Sequence, residues 1–288
     1  MKLCPACRKS LAGVVWSCPR CGWMAPCELG VTLLTPRTTQ APGGFKPEQF
    51  THLFRLESEN FWFRSRNRFI LWAINRYFPS TRDMMELGCG TGFVSSAVER
   101  ERPDIKLTAT ELYADGAVLA ARRLKNATVL QIDARDIPFE SEFDLVGAFD
   151  VIEHIGEDKQ VLCEIHRSLK SGGGLLLTVP QHPALWSRVD DFSHHKRRYT
   201  RPELMSKVEE SGFRVLRCTS FVTLLLPVMI ASRLLARDRI EFDPFAEFEI
   251  PVLFNWFFER TLDVERWLIS AGFSLPVGGS LLLVAKRS

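Results

Sequence analysis

The chain has 288 residues, 46% hydrophobic and 25% charged, which is enough apolar material for a large core and excludes global disorder. Its 37 basic and 34 acidic residues leave a formal charge of +3, so charge alone gives no footprint for nucleic acid. That length holds one large domain and an appendage.

Met1-Lys2-Leu3-Cys4-Pro5 lacks the apolar core of a signal peptide, and a cytoplasmic location is expected. Cys4-x-x-Cys7 and Cys18-x-x-Cys21 are separated by ten residues. Each pair puts two thiolates on one side of a tight turn, and two pairs close a tetrahedron around Zn²⁺. This pairing among eight cysteines favours metal over disulfides, with a redox dithiol as the rival reading. Four thiolates leave no open coordination position, so zinc at Cys4, Cys7, Cys18 and Cys21 is expected to be structural. It would supply the folding energy of a ribbon over residues 1–30, where little apolar sequence lies. Cys27 reads as a spare thiol.

Residues 31–47 read as a linker, with three prolines and two adjacent glycines from Thr35 onward. Phe61, Trp62, Phe69 and Trp72 can then form one apolar side of a helical segment extending to Tyr77. An arginine of this segment can pair with a carboxylate ligand, for which the guanidinium fork is suited. Arg66 is the choice by its distance from Ile70, with Arg64 and Arg68 as competitors.

Residues 84–87 predict a short buried strand. Gly88, Gly90 and Gly92 predict a tight turn against which a ligand can lie. Residues 91–102 predict a helix whose first N–H groups face that turn. Strands at 105–110, 127–132, 143–149 and 172–179 follow, with helices at 113–125 and 157–170. The alternation gives an α/β doubly wound sheet. Glu111, about twenty residues past the glycine turn, can accept ribose hydroxyls. Asp133 at a strand end can accept an adenine amino hydrogen, and Ala134 offers its N–H; otherwise Asp133 is a turn residue. Asp150 and Glu153-His154 follow the fourth strand, where a carboxylate faces cofactor or acceptor.

Glu86-Leu87-Gly88-Cys89-Gly90-Thr91-Gly92, together with Glu111, Asp133 and Asp150-x-x-Glu153-His154, resembles class I S-adenosylmethionine-dependent methyltransferases across residues 60–220 and the final strand. It is similar to the type 11/12 and quinone-biosynthesis O-methyltransferase branches, which share the Glu-His after strand four. The resemblance implies a Rossmann-like doubly wound seven-stranded sheet, order 3-2-1-4-5-7-6, in a domain over residues 48–288. It implies S-adenosylmethionine held by Glu86, Gly88, Gly90, Glu111, Asp133 and Ala134, with Asp150 at the methionine end or the acceptor. It also implies that an arginine of the segment before the core, here Arg66, meets the methionine carboxylate. It does not identify the acceptor.

On the acceptor side, residues 185–199 form a loop dense in groups that take up protons or pair with anions. Methyl transfer needs an in-line nucleophile and often a base, and an imidazole with a pKa near ~6.5 suits that role. His154 and His195 lead as catalytic candidates, ahead of His194 and His182; for any one of them a packing role is the rival. Glu153-His154 with a third ligand could hold a divalent metal. Lys196-Arg197-Arg198 reads as a phosphate clamp or a solvated basic turn. Residues 201–211 predict a helix and 213–219 a sixth strand.

Residues 221–235 are apolar but shorter than the ~20 residues a bilayer span needs, and contain Pro227 and Arg233. They read as a lid, a dimer face or a peripheral membrane contact. Residues 252–268 predict a second helix and 280–286 the last strand. The insert at 220–276 would build the acceptor pocket, and its apolar character suggests a hydrophobic or lipid-linked acceptor. Three functions follow: methyl transfer to a small-molecule or lipid-linked acceptor, most readily to oxygen; RNA base methylation with the ribbon contacting RNA; or a non-enzymatic adaptor with a vestigial cofactor fold.

Overall fold

The strand-forming logic is plainest at β5 (Asp83–Leu87), where Met84 and Met85 are both fully buried yet face opposite layers. Successive side chains of a strand point to opposite faces, so a strand covered on both sides is mostly apolar, and the buried Glu86 near its end is the exception. The computed structural model describes residues 1–13, 15–35, 47–236 and 250–288. Around β5 run β6 (Lys106–Glu111), β7 (Thr128–Gln131), β8 (Phe143–Phe149) and β9 (Leu169–Pro180), all parallel. β11 (Ser280–Arg287) enters antiparallel between β9 and β10 (Phe213–Phe221). The order across the sheet is β10-β11-β9-β8-β5-β6-β7-β4-β3.

Helices cover both faces. They are α1 (Pro47–Leu56), α2 (Phe61–Tyr77), α3 (Phe93–Glu101), α4 (Ala114–Arg123), α5 (Asp158–Ser168), the short α6 (Arg188–Phe192), α7 (Arg201–Glu210), α8 (Leu226–Ala236) and α9 (Val252–Ser270). Asn60 caps α2 by accepting from the Trp62 amide, and Thr200 caps α7 by accepting from the Glu203 amide. α1 was not expected from the sequence. Its signal is Pro47 at the first helical position with Glu48 in the first turn.

The register decides where the chemistry goes. Leu87 pairs with Thr110 and Ala148, Glu111 with Gln131, and Phe149 with Thr178. The glycine turn, Glu111, Asp133 and Asp150 therefore leave the sheet at one carboxyl edge, where ligands bind in such folds.

The amino-terminal part differs from expectation. Lys2–Leu3 (β1) and Ser10–Leu11 (β2) form a small hairpin. Residues 31–33, read as linker, instead form β4 (Val31–Leu33), which pairs with β3 (Cys27–Glu28) and lies parallel to β7. Val31 and Leu33 are buried and Thr32 is half-buried, so this is an inward-facing strand that closes the β7 edge. Most of the expected linker, residues 36–46, lies outside the described residues.

Beyond β10, the expected insert resolves into α8 and α9, with residues 237–249 outside the described ones. Exposed apolar side chains concentrate on α9, where Leu253, Phe257, Val264 and Trp267 share a stripe. Among the described residues, no helix is long and apolar enough to cross a membrane.

Candidate active site

The turn after β5 is left-handed at Gly88, with φ 66°, and at Gly90, with φ 55°. The two glycines answer different needs. A Cβ on Gly88 would lie 2.6 Å from a methyl of Val151, so the turn is pressed against the segment after β8. A Cβ on Gly90 would meet nothing within 4 Å, because it faces open space. That space is a cavity of about 1100 Å³ along the carboxyl edge. Small-molecule sites usually occupy ~300–1,000 Å³, so a nucleoside cofactor and an acceptor both fit.

At the turn end of the cavity, Glu111 is held firmly. One carboxylate oxygen accepts the Gly90 amide at 2.8 Å and the other the Tyr113 amide at 3.0 Å. Burial raises its pKa, and those amide donors oppose the shift. Asp133 and Ala134 line the cavity beside it. Asp133 also accepts the Arg135 amide at 2.9 Å, which is the turn role, and pairs with the Arg135 guanidinium at 2.6 Å. Glu86, buried beneath the turn, accepts the Ser95 hydroxyl. Burial pushes its pKa up to about 7, against the pull of Ser95 and of the nearby Arg66 charge.

The three arginines of α2 separate cleanly. Arg64 and Arg68 both pair with Glu259 of α9, and Arg68 also with Asp263 at 2.9 Å. Arg66 alone of the three lines the cavity, stacked over Trp62 at 4.6 Å and donating to Asp150 at 2.5 Å. Asp150 has φ 58° and also accepts the Thr178 hydroxyl at 3.2 Å. An arginine and a carboxylate thus meet where an amino-acid end of a ligand could pair with both.

The opposite end brings Glu153, His154 and His195 together. The histidine rings meet edge to face at 4.6 Å, and ligating atoms of all three residues lie within 4.8 Å of one another. Glu153 is fully buried, and neither carboxylate oxygen has a hydrogen-bond partner among the described residues. Burial, and then the Asp150 charge, raises its pKa well above the carboxylate range. Burial and the adjacent His195 push His154 down to about 3. His194 also lines the cavity, whereas His182 does not.

Sequence reasoning missed what orients His195. Asp190, fully buried on α6, contacts His195 Nδ1 at 2.8 Å and is clamped by Arg198 at 2.8 and 3.0 Å. Burial works against its charge, yet His195 and Arg198 hold its pKa well below the usual range. The available signal was Ser187-x-x-Asp190, a capping box that starts α6. Two members of the basic triplet are paired within the protein, and Lys196 stays exposed. Arg197 pairs with Asp158 at 2.5 Å and Arg198 with Asp190; Lys196 and Arg198 both line the cavity, Arg198 with its charge already paired. Burying a guanidinium without a partner is costly, so these two were consumed internally. Also missed was Glu57, just after α1, which accepts from Thr91 of the glycine turn and from Arg123 at 2.7 Å.

Away from the cavity, the sulfurs of Cys4 and Cys21 stand 3.7 Å apart and those of Cys7 and Cys18 3.6 Å. All four lie within 4.8 Å of one another. A tetrahedron with Zn–S of ~2.3 Å has S···S edges of about 3.8 Å, so the donor set fits zinc in spacing and chemistry. Cys27 stays exposed on β3, outside the group.

Residues 85–177 match the family model described as "Methyltransferase domain". A probable S-adenosylmethionine-dependent methyltransferase of Mycolicibacterium smegmatis is 28% identical over 170 residues, 56% of this chain and 62% of that protein. The chain thus spans less than two thirds of that relative. A ubiquinone biosynthesis O-methyltransferase of Pseudomonas aeruginosa is 25% identical over 165 residues, 50% of this chain and 69% of the relative. In fold, the chain is similar to the Haemonchus contortus phosphoethanolamine N-methyltransferase 2 solved with S-adenosyl-L-methionine, with TM-score 0.56 and 17% identity over 84% of this chain and 57% of that one. Residues 85–177 are thus similar to a methyltransferase domain, carried here on a Rossmann-like α/β sheet.

Proposed function

We propose that the protein transfers a methyl group from S-adenosylmethionine to the oxygen of a small-molecule or lipid-linked acceptor, by in-line displacement. One observation carries this reading: Glu111, Asp133, Arg66 and the His154–His195 pair all open into a single cavity. The cofactor, when bound, supplies an electrophilic methyl group. Glu111 would accept the ribose hydroxyls, Asp133 and Ala134 would meet the adenine edge, and Arg66 would hold the carboxylate end. Gly90 keeps that path free of a side chain and Gly88 lets the turn press on Val151, with Glu86 supporting the turn from below and Asp150 facing the same end.

His195 would take the acceptor's hydroxyl proton. An ionised Asp190 can only accept at Nδ1, which fixes the proton there and leaves Nε2 free to receive another. His154, kept neutral by burial, sits beside it and would orient the acceptor. Apolar Leu225, Val228 and Met229 and Phe258 wall the same cavity, and α9 carries an exposed apolar stripe. Both support an acceptor with a long apolar part, met at a membrane surface. The name of the Pseudomonas relative supports oxygen as the target.

The test is titration calorimetry with S-adenosylhomocysteine, followed by labelled-methyl turnover against phenolic lipids and RNA fractions. Cofactor binding with label in lipid is the expected result. Label in RNA would overturn the acceptor assignment, and no cofactor binding would favour the adaptor reading.

A further inference from the structure

The ribbon has a place in the fold that a detached nucleic-acid module would not need. Cys4, Cys18, Leu11 and Trp16 share one apolar cluster with Leu130, Ile132, Ala134 and Phe139. Trp16 meets Phe139 edge to face at 5.5 Å. Backbone bonds join the two parts: Leu3 donates to Pro138 at 2.9 Å and Glu140 to Met1 at 2.9 Å, and Arg8 pairs with Asp136. The segment following β7, residues 132–140, thus lies between the ribbon and the cavity, and it has no helix or strand of its own. Its start is bonded from the ribbon side as well. Leu34 donates to Gln131 at 2.9 Å, and the Asp133 amide donates to the Thr35 hydroxyl at 2.9 Å.

From this we infer that the metal ribbon is the outer wall of the adenine end of the cofactor site, so that zinc occupancy and cofactor affinity are coupled. This inference rests on the cofactor reading above. The physical chain is short. Hairpin β1–β2 has two residues per strand, too few to hold its shape alone. Thiolate–zinc bonds would fix Cys4 and Cys18, whose neighbours pack on Ile132 and Phe139. That packing fixes the 132–140 segment, which carries Asp133 and Ala134. Without the metal the segment loses its outer support and the adenine edge loses its fixed partners. Binding linkage is reciprocal, so bound cofactor must protect the metal to the same extent.

The experiment uses the full chain. Affinity for S-adenosylhomocysteine is measured by calorimetry on zinc-loaded and chelator-stripped protein, with circular dichroism reporting the fold. Release of zinc to a chromogenic chelator is timed with and without that ligand. Stripping should weaken binding by about tenfold or more, within the ~5–150-fold range usual for coupled sites, and the ligand should slow zinc release. Thr35→Val keeps all four thiols and should by itself weaken binding a few-fold. If the stripped protein unfolds, the Thr35→Val affinity and the release rate decide. Unchanged affinity in folded stripped protein, or in Thr35→Val with ligand-independent zinc release, overturns the inference. Failure of the zinc-loaded wild type to bind at all overturns the cofactor reading instead.

Discussion

The two ends of the cavity are built on opposite plans. The end under β5, β6 and β7 is made of backbone: a glycine turn, and carboxylates at or just past a strand terminus fastened to nearby amides. The end beyond β8 and β9 is made of side chains brought from separate segments, with His154 after β8 and His195 after α6, the latter oriented by a buried Asp190–Arg198 pair. A site made of backbone tolerates little change in shape, whereas one made of side chains can change its chemistry residue by residue. The first suits a constant cofactor and the second a variable acceptor.

Five substitutions would break or sharpen that contrast. The largest effect is expected from Gly90→Arg, which drives a long side chain into the space beside Glu111. Calorimetry should detect no cofactor binding while the fold persists; retained affinity would remove the turn from the site. Next, His195→Ala should slow turnover by about a hundredfold, the lower range for a general base, and leave the cofactor dissociation constant unchanged. Equal losses in both would mean that the two ends are not separate.

Arg66→Ala should weaken cofactor binding about tenfold, since a charged hydrogen bond is worth ~1.5–3 kcal/mol. Arg64→Ala, two positions away on another face of the helix, should instead lower the melting temperature and spare affinity, because its partner is Glu259. If both variants lose affinity equally, the separation of these arginines by tertiary pairing is wrong.

The smallest effect concerns pH. Glu86 has its pKa moved by burial from 4.5 up to about 7, so the folded protein keeps a proton that the unfolded chain has released. Its contribution to stability is fully present below pH 4.5 and is lost as pH rises toward about 7. Thermal melts across that window should show a steeper decline in the wild type than in Glu86→Gln. Parallel curves would show that Glu86 is already ionised in the folded state.

Much of this was legible in residues alone. Continuous apolar runs broken by glycine and acidic residues gave the strand–helix alternation, and position relative to strand ends singled out Glu111, Asp133 and Asp150, because local geometry governs those placements. The cysteine spacing gave the thiolate group for the same reason: two residues between ligands is a local turn. What spacing could not give was competition between distant partners. Arg64 and Arg68 share one helix face and Arg66 lies on another, but which face meets the ligand is settled only by α9, almost two hundred residues away, which takes Arg64 and Arg68. Arg197 and Arg198 looked like ligand-binding charges until Asp158 and Asp190 claimed them. β4 read as linker because a three-residue strand has no stability alone and exists only where β7 offers an edge. Local chemistry therefore determined the sheet, the turn and the thiolates, while desolvation and pairing across the assembled fold decided which charges remain available to a ligand.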